Sequence, residues 1–282
     1  MVDIFFSGKF SGKMMDYFNI ETGASEPWPD DVCLYQPYKS NEVGTADSVQ
    51  QVLLPDNAQC LAVQCYLQMC GLPFRTVLRT NAEHMSPSGK PPFLRAGPYV
   101  ISEVEPIIKF VSTKGHSLSE KLDRPQQAEM KAYLALVQGT LGNAELYISW
   151  CDPTTASEIS RPRYSSPYPW PLNTVLAYRK QWDVQNQLKT LGWYSKTLEE
   201  VYDEVDNCCK ALAQRLGNHH YFFKQGPTEL DALVFGHLYT ILTTPLTDNC
   251  LADIVKEYGN LINFCRHIEK KFFEERERGP KD

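Results

Sequence analysis

Residues 56–79, DNAQCLAVQCYLQMCGLPFRTVLR, contain the two elements that decide the fold of the N-terminal half. Asp56 with Gln59 three residues later is typical of a helix N-terminus, and Gly71 followed by Pro73 is typical of a helix end. Apolar side chains follow the helical period in between, at Ala58, Leu61, Ala62, Cys65 and Met69. Residues 74–79 then predict a β-strand. The stretch is therefore a helix with one buried face, followed by a strand.

The flanking sequence extends this pair into the order β-α-β, loop, β-β-α. Residues 32–36 are a short β-prone run, and the polar stretch 37–51 predicts a loop. Residues 93–95 and 99–102 predict a hairpin. A helix follows, with an apolar face at Val104, Ile107, Ile108 and Val111. This order predicts a thioredoxin-like α/β domain at 31–115 with a four-stranded mixed sheet, preceded by an N-terminal extension, 1–30.

The segment Ser88-Gly89-Lys90-Pro91-Pro92-Phe93 precedes the third predicted strand. A cis peptide bond before Pro92 would supply the tight turn that thioredoxin-like folds keep at this place. Two trans prolines in a loop are the alternative, and only the strand context favours the cis form. We therefore treat Pro92 as a structural residue of the domain.

From Gln126 onward strand signals are absent, which predicts an all-helical C-terminal domain at 125–275. One long amphipathic helix is predicted from Met130, Tyr133, Leu134, Val137, Leu141, Ala144 and Ile148, another from Leu198 to Leu216, and a last one from Leu251 to Ile268. Thr197 and Glu200 are spaced as a capping box. Residues 276–282 are predicted to be a charged, solvated tail.

A proline-rich segment interrupts the helices, Tyr164-Ser165-Ser166-Pro167-Tyr168-Pro169-Trp170-Pro171-Leu172-Asn173. Three alternate prolines disfavour a regular helix and favour an extended, exposed backbone. Two interpretations follow. The segment is either a connector whose Trp170 fills the seam between the domains, or a partner-docking loop that presents Pro167, Tyr168 and Trp170.

The composition narrows the class of function. The chain has 282 residues, 28 Lys and Arg against 34 Asp and Glu, and a formal net charge of −6, which disfavours a nucleic-acid partner. Nine cysteines show no C-x-x-C pair, and their helical positions diverge, so we expect reduced thiols and neither a metal site nor a cofactor.

Membrane and export signals are weak. The N-terminus lacks a secretory signal, so we expect a cytosolic chain. The most apolar stretch, 230–242, is too short to span a bilayer. Phe6, Lys9, Phe10, Lys13 and Met14 could form an interfacial segment, although a frayed terminus is the simpler interpretation.

A helical domain after a thioredoxin-like one is the glutathione transferase architecture. Thr228-Glu229-Leu230-Asp231 resembles the Ser/Thr-x-x-Asp capping box that transferase-like folds keep in a core helix. Thr228 and Asp231 are therefore predicted to be structural, with Asp231 as a buried cap. His237 falls on the apolar face of the same helix and is predicted to be a hydrogen-bonded core residue.

A transferase activates the glutathione thiol with a Tyr, Ser or Cys at the end of the first strand or the start of the first helix. Here only Tyr35 and Cys60 come near those places. The pair that usually holds the γ-glutamyl carboxylate aligns with Glu103-Val104, where Val104 has no hydroxyl; a shifted alignment would bring in Ser102. We predict no catalytic, cofactor-binding or metal-binding residues.

Four long strings make the chain resemble the metaxin family: Ser25-Glu26-Pro27-Trp28-Pro29, residues 81–90 (NAEHMSPSGK), residues 166–173 (SPYPWPLN) and residues 228–244 (TELDALVFGHLYTILTT). The resemblance spans residues 25–275. It implies a transferase-like protein on the cytosolic face of the mitochondrial outer membrane, active in protein import and in β-barrel sorting and assembly. The charged end of the chain is similar to that of the peripheral members of the family.

The resemblance also implies partners. These are a membrane-anchored metaxin paralogue and the outer-membrane sorting and assembly machinery, so membrane contact is expected to be indirect. The expected role is that of a non-catalytic peripheral subunit. Two alternatives stay open: a glutathione transferase that uses Tyr35 or Cys60, and an adaptor between mitochondria and microtubule motors.

Overall fold

A computed structural model describes residues 27–37 and 53–274. The N-terminal residues with the possible interfacial segment, most of the 37–51 loop and the charged tail lie outside the described residues. Within them the chain forms a small mixed sheet followed by a largely helical region. This is the α/β plus all-α arrangement that the sequence predicted.

The sheet has four strands in the order β2-β1-β3-β4. The strands are β1 (Cys33–Pro37), β2 (Arg75–Arg79), β3 (Phe93–Ala96) and β4 (Tyr99–Ser102). Strand β1 pairs in parallel with β2 and antiparallel with β3, so Leu34 lies between Thr76 and Leu94. Leu34 and Leu94 are fully buried, because this central pair faces the helices. The thioredoxin-like sheet is thereby confirmed.

Helix α1 (Leu54–Met69) connects β1 to β2, and it begins earlier than the sequence predicted. Asp56 is not the N-cap residue; that position belongs to Leu53, and Asp56 lies in the first turn. The reason is packing, because Leu53, Leu54 and Pro55 are all buried and proline fits the first helical turn. The helix ends where it was expected to, with Gly71 at φ +70°.

The connection between β2 and β3 contains a short helix, α2 (Ala82–Met85), although the sequence predicted a loop there. After it the chain turns through Ser86, whose Oγ donates to the carbonyl of Lys90 at 2.6 Å. The peptide bond between Pro91 and Pro92 is cis, and a second cis bond joins Trp170 to Pro171. Helix α3 (Val104–Thr113) follows β4 and completes the domain.

The helical region runs through nine α-helices within the described residues. They are α4 (Arg124–Val137), α5 (Asn143–Trp150), α6 (Pro153–Thr155), α7 (Arg161–Ser165), α8 (Leu172–Thr190), α9 (Leu198–Leu216), α10 (Glu229–Thr243), α11 (Cys250–Lys256) and α12 (Gly259–Glu269). Segments of π-helix, Gln138–Gly142, Ala156–Ser160 and Lys270–Glu274, join or extend some of them. None of the helices described is long and apolar enough to cross a membrane.

Three helix predictions need correction. The single helix expected from Met130 to Ile148 is two helices, α4 and α5, joined by a π-helical segment. The last helix is also two, α11 and α12, which are separated by a break before Gly259. The proline-rich segment is not extended throughout, because α7 reaches Ser165 and α8 starts at Leu172. Prolines in the first turn of a helix are compatible with helical geometry.

Helices α1 and α10 hold the two regions together by packing closely along each other. Gly236 marks their closest approach, since a Cβ at this position would lie 2.5 Å from the carbonyl oxygen of Ala58 and 2.8 Å from Cβ of Ala62. Buried side chains of both regions form one hydrophobic cluster around this contact. The two regions are therefore joined by a tightly packed helix pair.

Candidate functional site

The cleft between the sheet domain and the helices is the place where transferase-like folds do their chemistry. Three features border it: the start of α1, the turn before β3 and the turn from β4 into α3. Each of them has a task if the cleft is to hold a thiol peptide.

The start of α1 provides a carboxyl group instead of a hydroxyl or thiol. Leu53, Leu54 and Pro55 are buried, and Asp56 is the first polar side chain of the helix. Burial raises the pKa of Asp56 to about 6, against the lowering influence of the nearby Lys180 ammonium. A carboxylate at this point disfavours a thiolate beside it, because like charges repel and raise the pKa of the thiol.

An ion pair connects the two sides of the cleft. Nζ of Lys180 in α8 lies 2.6 Å from Oε1 of Glu83 in α2, and the two side chains are only 19% and 22% exposed. Burial lowers the pKa of Lys180, but Asp56 and Glu83 outweigh it and leave the pKa raised, so the ammonium stays charged. Lys180, Asp56 and Glu83 thus form one interdomain charge cluster.

Tyr164 covers this cluster on the helical side. Nζ of Lys180 lies 5.8 Å from its ring centroid, and the ring packs edge-on against the buried Trp150, with 5.7 Å between centroids. Burial and the neighbouring Glu83 raise the pKa of the Tyr164 hydroxyl. The Tyr164 hydroxyl therefore stays protonated beside the cluster.

The two candidate thiol activators are packed within the sheet domain. Tyr35 lies in β1 and stacks on Phe93, with ring centroids 4.6 Å apart. Cys60 lies in the second turn of α1 and is 3% exposed. Tyr35 is therefore part of a strand pair, and Cys60 is part of the helix packing. Neither one replaces the hydroxyl or thiol missing at the entry to α1.

The turn from β4 into α3 has the backbone of a ligand cradle but lacks one polar group. Glu103 has φ +71°, a left-handed conformation that side-chain-bearing residues rarely adopt, and its N–H donates to the carbonyl of Pro92 at 3.0 Å. Val104 begins α3 and is 5% exposed. Ser102 ends β4 and pairs with Phe93. The position after Glu103 therefore offers an apolar side chain where a hydroxyl would be needed.

The buried polar groups of α10 are structural. Asp231 is fully buried; its Oδ1 accepts the N–H of Phe222, and its Oδ2 accepts both the N–H and the hydroxyl of Thr228 at 2.8 and 2.7 Å. Burial raises the pKa of Asp231 to about 6, against these hydrogen bonds. His237 is also buried, with Nδ1 2.8 Å from Oε1 of Glu145.

The exposure of Trp170 excludes one of the two interpretations of the proline-rich segment. Its side chain is 82% exposed, so it does not fill the seam between the domains. Tyr164 fills the seam instead, against Trp150. Pro167 and Tyr168 are half-buried, and the ring of Tyr168 lies 6.0 Å from that of His84. The reason is local: α7 extends through Tyr164 and turns it inward, whereas Trp170 follows in the loop.

The sequence analysis did not predict the charge cluster, and the spacing of its residues along the chain contains no signal for it. Lys180 and Glu83 are 97 positions apart, and each belongs to a helix whose sequence resembles an ordinary solvated surface. Within the described residues, no three His, Cys, Asp or Glu side chains come together as a metal site.

Comparison with known proteins gives two domain families. The glutathione S-transferase N-terminal domain family matches residues 58–155, and a glutathione S-transferase C-terminal domain family matches residues 205–268. Residues 156–204, which contain α7 and α8, lie outside both matches. Among solved structures, a glutathione S-transferase from Ceriporiopsis subvermispora gives a TM-score of 0.55 at 11% identity, over 86% of this chain and 97% of that one. At this identity the likeness concerns the fold alone.

The sequence relatives are much closer. The chain is 56% identical to Metaxin-2 of Homo sapiens over 93% of this chain and 96% of the relative. It is 35% identical to the Metaxin-2 homolog of Caenorhabditis elegans, over 79% and 93% of the two chains. Metaxin-1 of Mus musculus is 31% identical, over 76% and 69%.

Proposed function

The chain belongs to the metaxin family, and on that premise we propose that it is a non-catalytic, peripheral subunit on the cytosolic face of the mitochondrial outer membrane. In this role it takes part in protein import and in the sorting and assembly of β-barrel proteins. It acts by contacts with other proteins, foremost a membrane-anchored metaxin paralogue and the assembly machinery. The transferase fold then serves as a rigid two-domain scaffold.

One observation carries the non-catalytic part of the proposal. The cleft holds the interdomain charge cluster of Asp56, Glu83 and Lys180 at the point where a transferase needs a thiol-activating group. The carboxylate of Asp56 at the start of α1 opposes the formation of a thiolate beside it, which is the first requirement of conjugation. The cluster also ties the two sides of the cleft together, as a docking scaffold requires.

A glutathione affinity column and a standard conjugation assay test the non-catalytic part. We expect no retention on the column and no turnover above the uncatalysed rate. Retention together with turnover that is abolished by Tyr35→Phe or Cys60→Ala would establish the enzyme instead. An authentic glutathione transferase, run in parallel, serves as the positive control.

Fractionation of mitochondria tests the location and the partners. We expect the full chain to sediment with outer membranes, to be released by alkaline carbonate, and to co-purify with the anchored paralogue after mild detergent extraction. Depletion of the paralogue should shift the chain to the soluble fraction. Recovery from soluble cytosol alone, with the paralogue intact, contradicts the proposal.

A further inference from the structure

Exposed apolar side chains concentrate on one part of the surface. Within the described residues ten large hydrophobic side chains are exposed, and seven of them lie between positions 170 and 194. They are Trp170, Leu172, Val175, Tyr178, Trp182, Leu191 and Tyr194. Most lie on or beside α8, in the stretch that neither transferase domain family matches. Such a concentration on a soluble fold marks an interaction surface.

Three of these side chains share one face of α8. Val175, Tyr178 and Trp182 are 60%, 55% and 62% exposed, and their spacing of three and four residues places them in one row. The row rises about 10 Å from Val175 to Trp182. Trp170 precedes it in the loop before the helix. We call Trp170, Val175, Tyr178 and Trp182 the aromatic face.

Positive charge accompanies the aromatic face. Residues 161–190 contain five Lys and Arg, of which Lys180 is held in the interdomain charge cluster, and one Asp, although the whole chain has a net charge of −6. The guanidinium carbon of Arg161 lies 5.0 Å from the ring centroid of Tyr178, and Nζ of Lys189 lies 4.6 Å from that of Tyr194. Arg179 is exposed and pairs loosely with Asp183, at 4.0 Å.

We propose that the aromatic face rests on an anionic lipid surface, with the Trp and Tyr rings at headgroup level and the flanking cations against lipid phosphates. Trp, Tyr and apolar side chains on one side of a helix, next to Arg and Lys, are the composition of helices that lie in a membrane interface. Arginine also binds phosphate through paired hydrogen bonds. The bilayer contact is then direct, in addition to the contact through the anchored partner.

The arrangement favours a lipid surface over a protein partner. Hot spots of protein interfaces cluster around a centre in well-packed pockets. Here the exposed rings follow one helix in a row, which a flat bilayer can contact along its whole length. A single interfacial patch binds membranes weakly, and stable attachment takes a second signal. The second signal would be the contact with the anchored paralogue, so this inference rests on the proposed function.

Vesicle sedimentation with the purified full chain tests the inference without any other protein. The probes are phosphatidylcholine vesicles and phosphatidylcholine vesicles with 20 mol% phosphatidylinositol. We expect at least roughly tenfold stronger partitioning to the anionic vesicles at low salt, reduced at 0.5 M NaCl. Val175→Ala combined with Trp182→Ala should lower it roughly tenfold, and Arg179→Gln about fivefold.

Matched controls lie on the other domain. Val100→Ala in β4 truncates a valine that is 40% exposed, compared with 60% for Val175, and Arg79→Gln in β2 removes an exposed arginine. Both controls should partition like the unchanged chain. Quenching of tryptophan fluorescence by brominated lipid, lost in the Trp170→Phe and Trp182→Phe double variant, should report the same contact.

The other results overturn the inference. These are no partitioning of the unchanged chain, equal loss in the control variants, or normal partitioning of the aromatic-face variants. If those variants keep their vesicle binding but lose the anchored paralogue in pull-downs, the face is a protein interface. A failure of the proposed function would be seen in a different experiment. In that case the unchanged chain would neither sediment with outer membranes nor co-purify with the anchored paralogue.

Discussion

Nζ of Lys180 lies 2.6 Å from Oε1 of Glu83, so that a helix of the C-terminal region and a short helix of the thioredoxin-like domain are joined across the cleft. Asp56, at the start of α1, adds a second carboxyl group to the same ammonium. The two regions of the transferase-like fold are thereby connected by charge. The consequences for stability can be measured.

Lys180→Met should lower the free energy of unfolding by about 2 kcal/mol. The substitution leaves Glu83 and Asp56 mostly buried without their cation, and uncompensated charge is costly to bury. Urea unfolding at pH 7 measures the change. Arg179→Met, at a neighbouring position that is 75% exposed, should stay within about 0.5 kcal/mol. Equal losses in both variants would show that the ion pair contributes nothing specific.

Asp56→Asn should change how stability depends on pH. Burial raises the pKa of folded Asp56 to about 6 from 3.8, so the folded state binds the proton more tightly than the unfolded one. The contribution of this group is then fully present below pH 4 and is lost as the pH rises through 6. We therefore compare the free energy of unfolding of the Asp56→Asn variant with that of the unchanged chain. The variant's value, minus that of the unchanged chain, should be about 2 kcal/mol larger at pH 7 than at pH 4.5.

Urea titrations of both proteins at the two pH values give the comparison. Glu105→Gln, at an exposed position in the first turn of α3, is the control. Its free energy of unfolding, relative to the unchanged chain, should be nearly the same at both pH values. A relative gain that is equal at both pH values would mean that Asp56 has the same pKa in the folded and unfolded chain.

Local patterns were sufficient to predict most elements of this fold. Alternating and helical periods located the four strands, α3 and α9, because each buries one face of a short, regular segment. The π-helical segment between α4 and α5 was invisible, since a single wide turn shifts the apolar face only slightly. The start of α1 was misplaced because Asp56 resembles a cap, whereas Pro55 in the first turn was the better signal.

Only part of the candidate site could be predicted from the sequence. Val104 and the run Leu54-Pro55 led us to expect that thiol-activating and carboxylate-binding groups are missing, and this expectation stays a prediction. The cluster that takes their place was not predictable, because Glu83 and Lys180 meet only through the tertiary fold. The two interpretations of Trp170 could not be separated for the same reason: an aromatic residue among prolines fits a seam or an exposed loop equally well, and neighbouring helices decide which.

Gly236→Ala should destabilise the chain by about 3 kcal/mol. The new Cβ would lie 2.5 Å from the carbonyl oxygen of Ala58 and 2.8 Å from Cβ of Ala62, and backbone atoms of a packed helix pair cannot yield cheaply. Gly139→Ala is the matched control, since nothing lies within 4 Å of its Cβ position, and it should be neutral or slightly stabilising. Thermal unfolding of both variants distinguishes a clash from a general intolerance of alanine.

His237→Leu should cost about 3 kcal/mol, because Glu145 then stays fully buried without the imidazole that lies 2.8 Å from its Oε1. Burial already raises the pKa of Glu145, and His237 opposes that effect, so the variant should take up a proton on Glu145 more readily. The double variant His237→Leu and Glu145→Met replaces both polar groups by apolar ones. It should recover more than half of the loss, since no charge is left to desolvate.

Urea unfolding of the single and double variants forms a mutant cycle. Additive losses across the cycle would show that the two buried side chains are energetically independent despite their contact.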